Sequence, residues 1–141
     1  MFTTNFFGDA IAKLQAARNT ISNPTPILQQ IAAQYQQQVE RSFDREQDPD
    51  DNSPWADLTP ATLRQKQLHY PGTKKLVRSG SGKRSVRVLV RGIAIWADMN
   101  ETMQYHHTGT RKMPKRNFIP EKIDEDLVQG VVARVVFAIL Q

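Results

Sequence analysis

The chain contains no cysteine, which excludes disulfides, thiolate metal sites and a cysteine nucleophile. Any cross-linking of the fold must be non-covalent, and the composition fits a reducing compartment. Histidine is scarce: His69, His106 and His107 carry all the imidazole chemistry. Long apolar runs are missing too. The best, VVARVVFAIL, includes Arg134 and falls short of the roughly 20 residues a membrane helix needs, so no membrane partner is expected. The opening residues, MFTTNFFGDAIAKL, lack the basic and apolar regions of a secretory signal. The protein is expected to be made and kept inside a cell.

Catalytic signatures are absent as well. No G-x-S-x-G elbow, HExxH pair, phosphate loop or dinucleotide glycine pattern occurs. The stretch GSGKRS has glycines and a lysine but not the earlier glycine and spacer of a phosphate cradle, so it reads as a linker or strand-joining loop. His106 and His107 are adjacent, and neighbouring side chains diverge on a strand and on a helix alike, so the pair is poorly placed to chelate one metal. No catalytic residue, metal or cofactor is expected.

What is present fits one small domain. The 141 residues are 39% hydrophobic and 23% charged, ordinary values for a globular protein with a modest core. Net charge is +5, but it is unevenly spread. Residues 1–60 carry four basic and eight acidic side chains, residues 61–120 thirteen and two, and residues 121–141 two and four. Such a basic centre suits either a nucleic-acid surface, where cations displace counterions, or an assembly in which the basic part of one subunit meets the acidic part of the next.

Periodicity divides the chain. Phe6, Phe7, Ala10, Ile11, Leu14, Ala17 and Ile21 recur at helical steps, predicting a helix within residues 1–24. Thr25 followed by Pro26 reads as a cap and first turn of a second helix, with Ile27, Leu28, Ile31, Tyr35, Val39 and Phe43 as its apolar stripe and a glutamine-rich face toward water or a partner. An acidic loop follows at 44–54. Asp44, Glu46, Asp48, Asp50 and Asp51 invite a calcium reading, but the glycine and closing glutamate of an EF-hand are missing. Trp55 reads as an anchor for this loop. Thr59-Pro60 opens a short helix to about Gln67. Strands and a hairpin are predicted over 76–98, with KLVRS as a short partner strand and SVRVLVRGIAIWAD turning near Gly92. From Pro120 an acidic start and apolar spacing predict a helix over 120–141, with strand as its competitor. The order reads as α+β, a small antiparallel sheet with a β-hairpin packed against helices in a single domain.

Four motifs in order carry a resemblance: SFDREQDPDDNSPWADLTPATLRQK, KKLVRSGSGKRSV, YHHTG and MPKRNFI. Together they resemble the phage virion morphogenesis family, the tail-completion proteins of contractile-tailed phages, similar in style to head–tail joining and tail-terminator proteins. The likeness covers roughly residues 40 to 140. Phe43 matches the family's Arg-Phe segment, Asp48 to Asp51 its acidic loop before Trp55, Tyr105 to Gly109 its Ile-His-Gln-Phe-Gly element, and Met113 to Phe118 its Ile-Pro-Ala-Arg-x-Phe element. Asp51, Gly82 and His107-Thr108 depart from the usual glycine, leucine and Gln-Phe.

The resemblance implies a structural protein of tail assembly rather than an enzyme. It implies a homo-oligomeric ring, commonly a hexamer, at the head-proximal end of the tail. Such a ring completes or terminates the tail tube and meets the head connector, and DNA passes its lumen without sequence-specific binding. The location implied is the virion, in the tail or neck, and the host cytoplasm during assembly. Lys74, Lys75, Arg111, Lys112, Lys115 and Arg116 are then candidates for a subunit or partner interface. Phe43, Trp55, Gly80, His106, Gly109 and Phe118 are structural candidates: His106 to tie a turn into the sheet, Gly109 to reverse the chain, and Arg116 to Phe118 to seat the loop on the core. The rival reading is a basic nucleic-acid-binding module with Tyr70, Trp96 and Tyr105 to stack on bases. No helix-turn-helix, zinc-finger or RNA-binding motif organises those residues.

Overall fold

Prolines and a stripe of apolar residues decide where the longest helix begins and which way it faces. A computed structural model describes residues 12–13, 15–16, 18–19, 22–92, 94–122 and 124–140. The apolar positions that predict the first helix, Phe6 to Ile21, lie outside them; the residues described between 12 and 22 are helical. Helix α1 spans Thr25–Arg45. Thr25 is not its cap: Pro24 already has helical φ and ψ, and its carbonyl accepts from Leu28 N at 2.9 Å. Thr25 is therefore the first helical residue, and its own N–H finds the Asn23 side chain. Ile31, Val39 and Phe43 of the predicted stripe are buried, each contributing about 1.5–3 kcal/mol on leaving water. Glu46 ends the helix in the left-handed region, returning its N–H to Ser42 O.

Helix α2 spans Pro60–His69, capped as expected by the Thr59 hydroxyl, which accepts from Thr62 N. The KLVRS segment forms turns rather than a strand. Leu76 and Val77 are consecutive and both pack on the core, which alternation along a strand forbids and a turn allows. GSGKRS is likewise no linker: a short helix, α3, runs over Ser81–Ser85. Strands β1 (Arg87–Arg91) and β2 (Ala94–Asp98) pair antiparallel, with Arg87 opposite Asp98 and Arg91 opposite Ala94 across the expected turn at Gly92. Among the described residues they form the only sheet.

Helix α4, Glu101–Thr108, was expected as a turn. Asn100 caps it by accepting from Met103 N at 2.9 Å, and Gly109 closes it by donating to Tyr105 O. Helix α5, Glu125–Leu140, confirms helix over strand but starts later than Pro120, with the Asp124 carboxylate accepting from Leu127 N. Among the described residues no helix is long and apolar enough to cross a membrane.

The hairpin lies against α1, and α5 packs on the same helix. Val39, Phe43, Trp55, Val86, Met103 and Phe118 make the core. One glutamine of the supposedly solvated run has a structural task. The Gln36 amide accepts from Val88 N at 2.8 Å and donates to Val86 O at 3.3 Å, so it pairs with the outer edge of β1 as a neighbouring strand would. Gln36→Ala should leave both groups unpaired and lower the unfolding free energy by about 1–3 kcal/mol. Gln37→Ala, on an exposed position of the same run, should change it by less than about 0.5 kcal/mol. Urea unfolding of the two variants checks this, and equal losses would remove the strand-partner role.

Candidate docking surface

The segment from Pro114 to Lys122 has no regular secondary structure and is held by hydrogen bonds at several of its residues. Arg116 is 4% exposed. Its Nε donates to Ala56 O at 2.9 Å and its Nη2 to Asp57 O at 3.0 Å. Asn117 offers its carbonyl to the Trp55 indole N–H at 2.7 Å, while its amide donates to Asp48 and Asp50. Phe118 is fully buried between Phe43 and His107, with ring centroids 5.2 and 5.0 Å away. Asp50 then accepts from the backbone N–H groups of Glu121 and Lys122. Asp48 and Asp50 thus spend their carboxylates on amide donors of this segment, while Asp44 and Glu46 face Lys83 and Lys75 and Asp51 accepts from Ser53. Among the described residues no group of three acidic or histidine side chains could hold a metal ion.

These bonds sort the predicted interface cations into two kinds. Arg116 is enclosed, so it cannot meet a partner, contrary to expectation. Lys75 is partly buried and tied to the same stretch, donating to Trp55 O and Asp57 Oδ1 at 3.0 Å. The two form an internal clamp on residues 55–57. Lys74, Arg111 and Lys112 are exposed. Lys115 is exposed as well and pairs with Glu121 at 2.9 Å, a contact that raises its pKa. The charged surface of this region is therefore the tip of the 110–115 loop. Tyr70, Trp96 and Tyr105 are exposed at the end of α2, on β2 and on α4, three separate elements, and the Tyr105 hydroxyl donates to Glu101.

The structural candidates are placed more closely than expected. His106 ties α4, not the sheet, to the 114–122 segment: its carbonyl accepts from Arg116 N at 2.8 Å. The two histidine rings face different surroundings, His107 lying on Phe118 with Nε2 3.7 Å from Glu121. Burial lowers the pKa of both; Arg116 and Arg78 push His106 further down, and Glu121 partly opposes the shift of His107. Gly80 takes the left-handed conformation that starts α3. Gly109 has φ +76°, and a Cβ there would sit 2.9 Å from the backbone nitrogen of Lys115. The loop crosses itself at a point where only glycine fits.

A second surface is apolar. The hairpin, α1 and the segment after Phe118 enclose a groove of about 420 Å3 lined by Leu28, Ile31, Tyr35, Ile95, Trp96 and Val128, among others. Trp96 at its rim is 53% exposed, and Phe137 on α5 is 63% exposed. A contiguous apolar groove open to water, with a large aromatic side chain at its rim, is the kind of surface a partner covers.

The sequence model of the phage virion morphogenesis family matches residues 7–136. No curated protein and no solved structure matches the chain.

Two outcomes follow from the loop geometry. Gly109→Ala must bear both the strain of a positive φ, roughly 1–3 kcal/mol, and the backbone collision, whereas Gly72→Ala, at φ +76° with nothing within 4 Å, bears only the first. Thermal unfolding should place Gly109→Ala clearly below Gly72→Ala; equal melting temperatures would refute the close approach. The histidines give a pH signature. Both have folded-state pKa values below the 6.5 of the free side chain, so the unfolded chain binds more protons between those values. Their contribution to stability is complete above that pH and is lost as pH falls through the folded values. Unfolding free energy should fall as pH drops through and below 6.5, and the fall should flatten in the His106→Gln, His107→Gln double variant.

Proposed function

The chain belongs to the phage virion morphogenesis family, and on that footing we propose that it forms a ring at the head-proximal end of the tail, completing the tail tube and joining it to the head connector. Membership itself gives a virion-associated protein with a role in building the particle. The finer reading is carried by one observation: the domain exposes two unlike surfaces, a cationic loop tip at Arg111, Lys112 and Lys115 and an apolar groove with Trp96 at its rim. Unlike surfaces on one subunit support head-to-tail contacts, which close into rings when the rotation per subunit allows. The start of α5 supplies the matching charge. Glu125 and Asp126 are exposed there, so the acidic end of one subunit's helix meets the basic loop of the next.

In this arrangement the ring is a homo-oligomer, hexameric by the resemblance, with the tail tube protein on one side and connector proteins on the other. DNA passes through the lumen with backbone contact at most and no base reading. The internal clamp of Arg116 and Lys75 keeps the docking loop in place without joining the interface.

Electron microscopy of phage lacking the gene should show overlong or headless tails, and normal infectious particles would overturn the proposal. Reversing Arg111, Lys112 and Lys115 to glutamate should dissolve the ring into monomers in native mass spectrometry while the melting temperature stays within a few degrees. A ring that survives the triple reversal would remove the loop from the interface.

A further inference from the structure

Lysine normally carries its ammonium to water on a flexible stem, and Lys66 does not. It lies mid-way along α2 at 7% exposure, its Nζ has essentially no exposed area, and the amine makes no hydrogen bond within the protein. A buried cation without a partner is among the costliest arrangements in a fold. Burial lowers the Lys66 pKa, with Arg78 pushing the same way. Glu46 opposes this, but its carboxylate is already engaged by Lys75 at 3.9 Å.

Lys66 lines a cavity of about 310 Å3 between α2, the 75–82 segment and α4. One water needs roughly 10–15 Å3 on such a measure, so the space admits a small ion together with its solvent. Its wall holds no carboxylate and two cationic side chains, Lys66 and Arg78, besides Lys75, whose ammonium is already taken by Trp55 O and Asp57. Hydroxyls from Thr62, Ser79 and Ser81 also border it. His106 lies in the same wall and has a second buried nitrogen, Nδ1, with no hydrogen-bond partner. Two unsatisfied buried nitrogens thus border one cavity that contains donors and cations but no acid.

We propose that this cavity is a binding site for a small oxyanion, phosphate or carboxylate, with the Lys66 ammonium as its principal cation and Arg78 and the wall hydroxyls as further donors. The site is separate from the loop tip and the apolar face, and it stands whether or not the chain forms a ring. Both anions offer the same chemistry, several acceptor oxygens and negative charge, and satisfy the same donors. Free phosphate and a carboxylate differ in source, the first coming from solution and the second from an acidic side chain of a neighbouring protein.

Thermal unfolding at constant ionic strength, with sodium chloride exchanged for inorganic phosphate or for acetate, tests the proposal. The melting temperature should rise with at least one of the two anions, and the one that acts identifies the source. Lys66→Met keeps the aliphatic stem and removes the charge. It should melt at or above the unliganded wild-type protein and lose the response, while Lys112→Met, exposed on the loop tip, should keep it. Should Lys66→Met fail to fold, backbone NMR of the wild-type chain decides the matter, since titration should shift amides near Lys66, Arg78 and His106 and leave those of the loop tip unmoved. No response to either anion, a response that survives Lys66→Met, or shifts confined to exposed lysines would overturn the site.

Discussion

Trp55 donates its indole N–H to the carbonyl of Asn117, 62 positions along the chain, and the rest of the structure is arranged so that this bond can form. Phe43 meets the indole edge-on at 5.5 Å, and Phe118, the next residue after Asn117, packs on Phe43 at 5.2 Å. Arg116, the residue before, binds the carbonyls just after Trp55. Three consecutive side chains therefore insert as one unit. A burial of this kind costs polar groups their water, and here the indole, the guanidinium and the Asn117 amide donors each find an acceptor. The acidic loop supplies the acceptors for the Asn117 amide, which gives Asp48 and Asp50 an internal reason to exist.

The parts of the fold that follow a strong period could be read in advance. Helix α1, helix α2 and the hairpin announce themselves through an apolar stripe, a Thr-Pro cap and alternating valines. Helix α4 could not be read that way because it buries one residue, Met103, and a helix with a single inward side chain has no period to detect. Its caps, Asn100 and Gly109, were the available signal. The late start of α5 has a different origin. The local signal is Asp124, whose carboxylate accepts from Leu127 N at the helix start, while the residues before it are tied across the molecule to Asp50, which accepts from the amides of Glu121 and Lys122.

The candidate surface was legible in composition but not in detail. Charge says where cations cluster along the chain and is silent about which of them the fold encloses. Arg111 and Arg116 are five positions apart in one basic stretch, yet one is exposed and the other is nearly inaccessible. Lys66 is the sharper case, an ordinary helical lysine by pattern that the cavity beside α4 turns into a buried cation. The glutamine run divides in the same manner, with Gln36 taken up by the sheet edge and Gln37 left in water. Family membership supplies the biological setting, and the separation of internal clamp from exposed tip shows which residues remain available to act in it.

The distance in sequence between the two halves of the Trp55 contact also sets an order of events. Bonds that join residues 48–57 to 116–122 close loops of about 60 to 70 residues, which is slow compared with forming α1 or the hairpin. During synthesis, a growing chain that ends before Asn117 has no partner for the indole and no acceptor-bound guanidinium to fix the 55–57 stretch. The loop tip is part of the same late-arriving segment. A chain therefore cannot close its core until it has been made past Phe118, and the 55–57 stretch and the loop tip are fixed by the same late contacts.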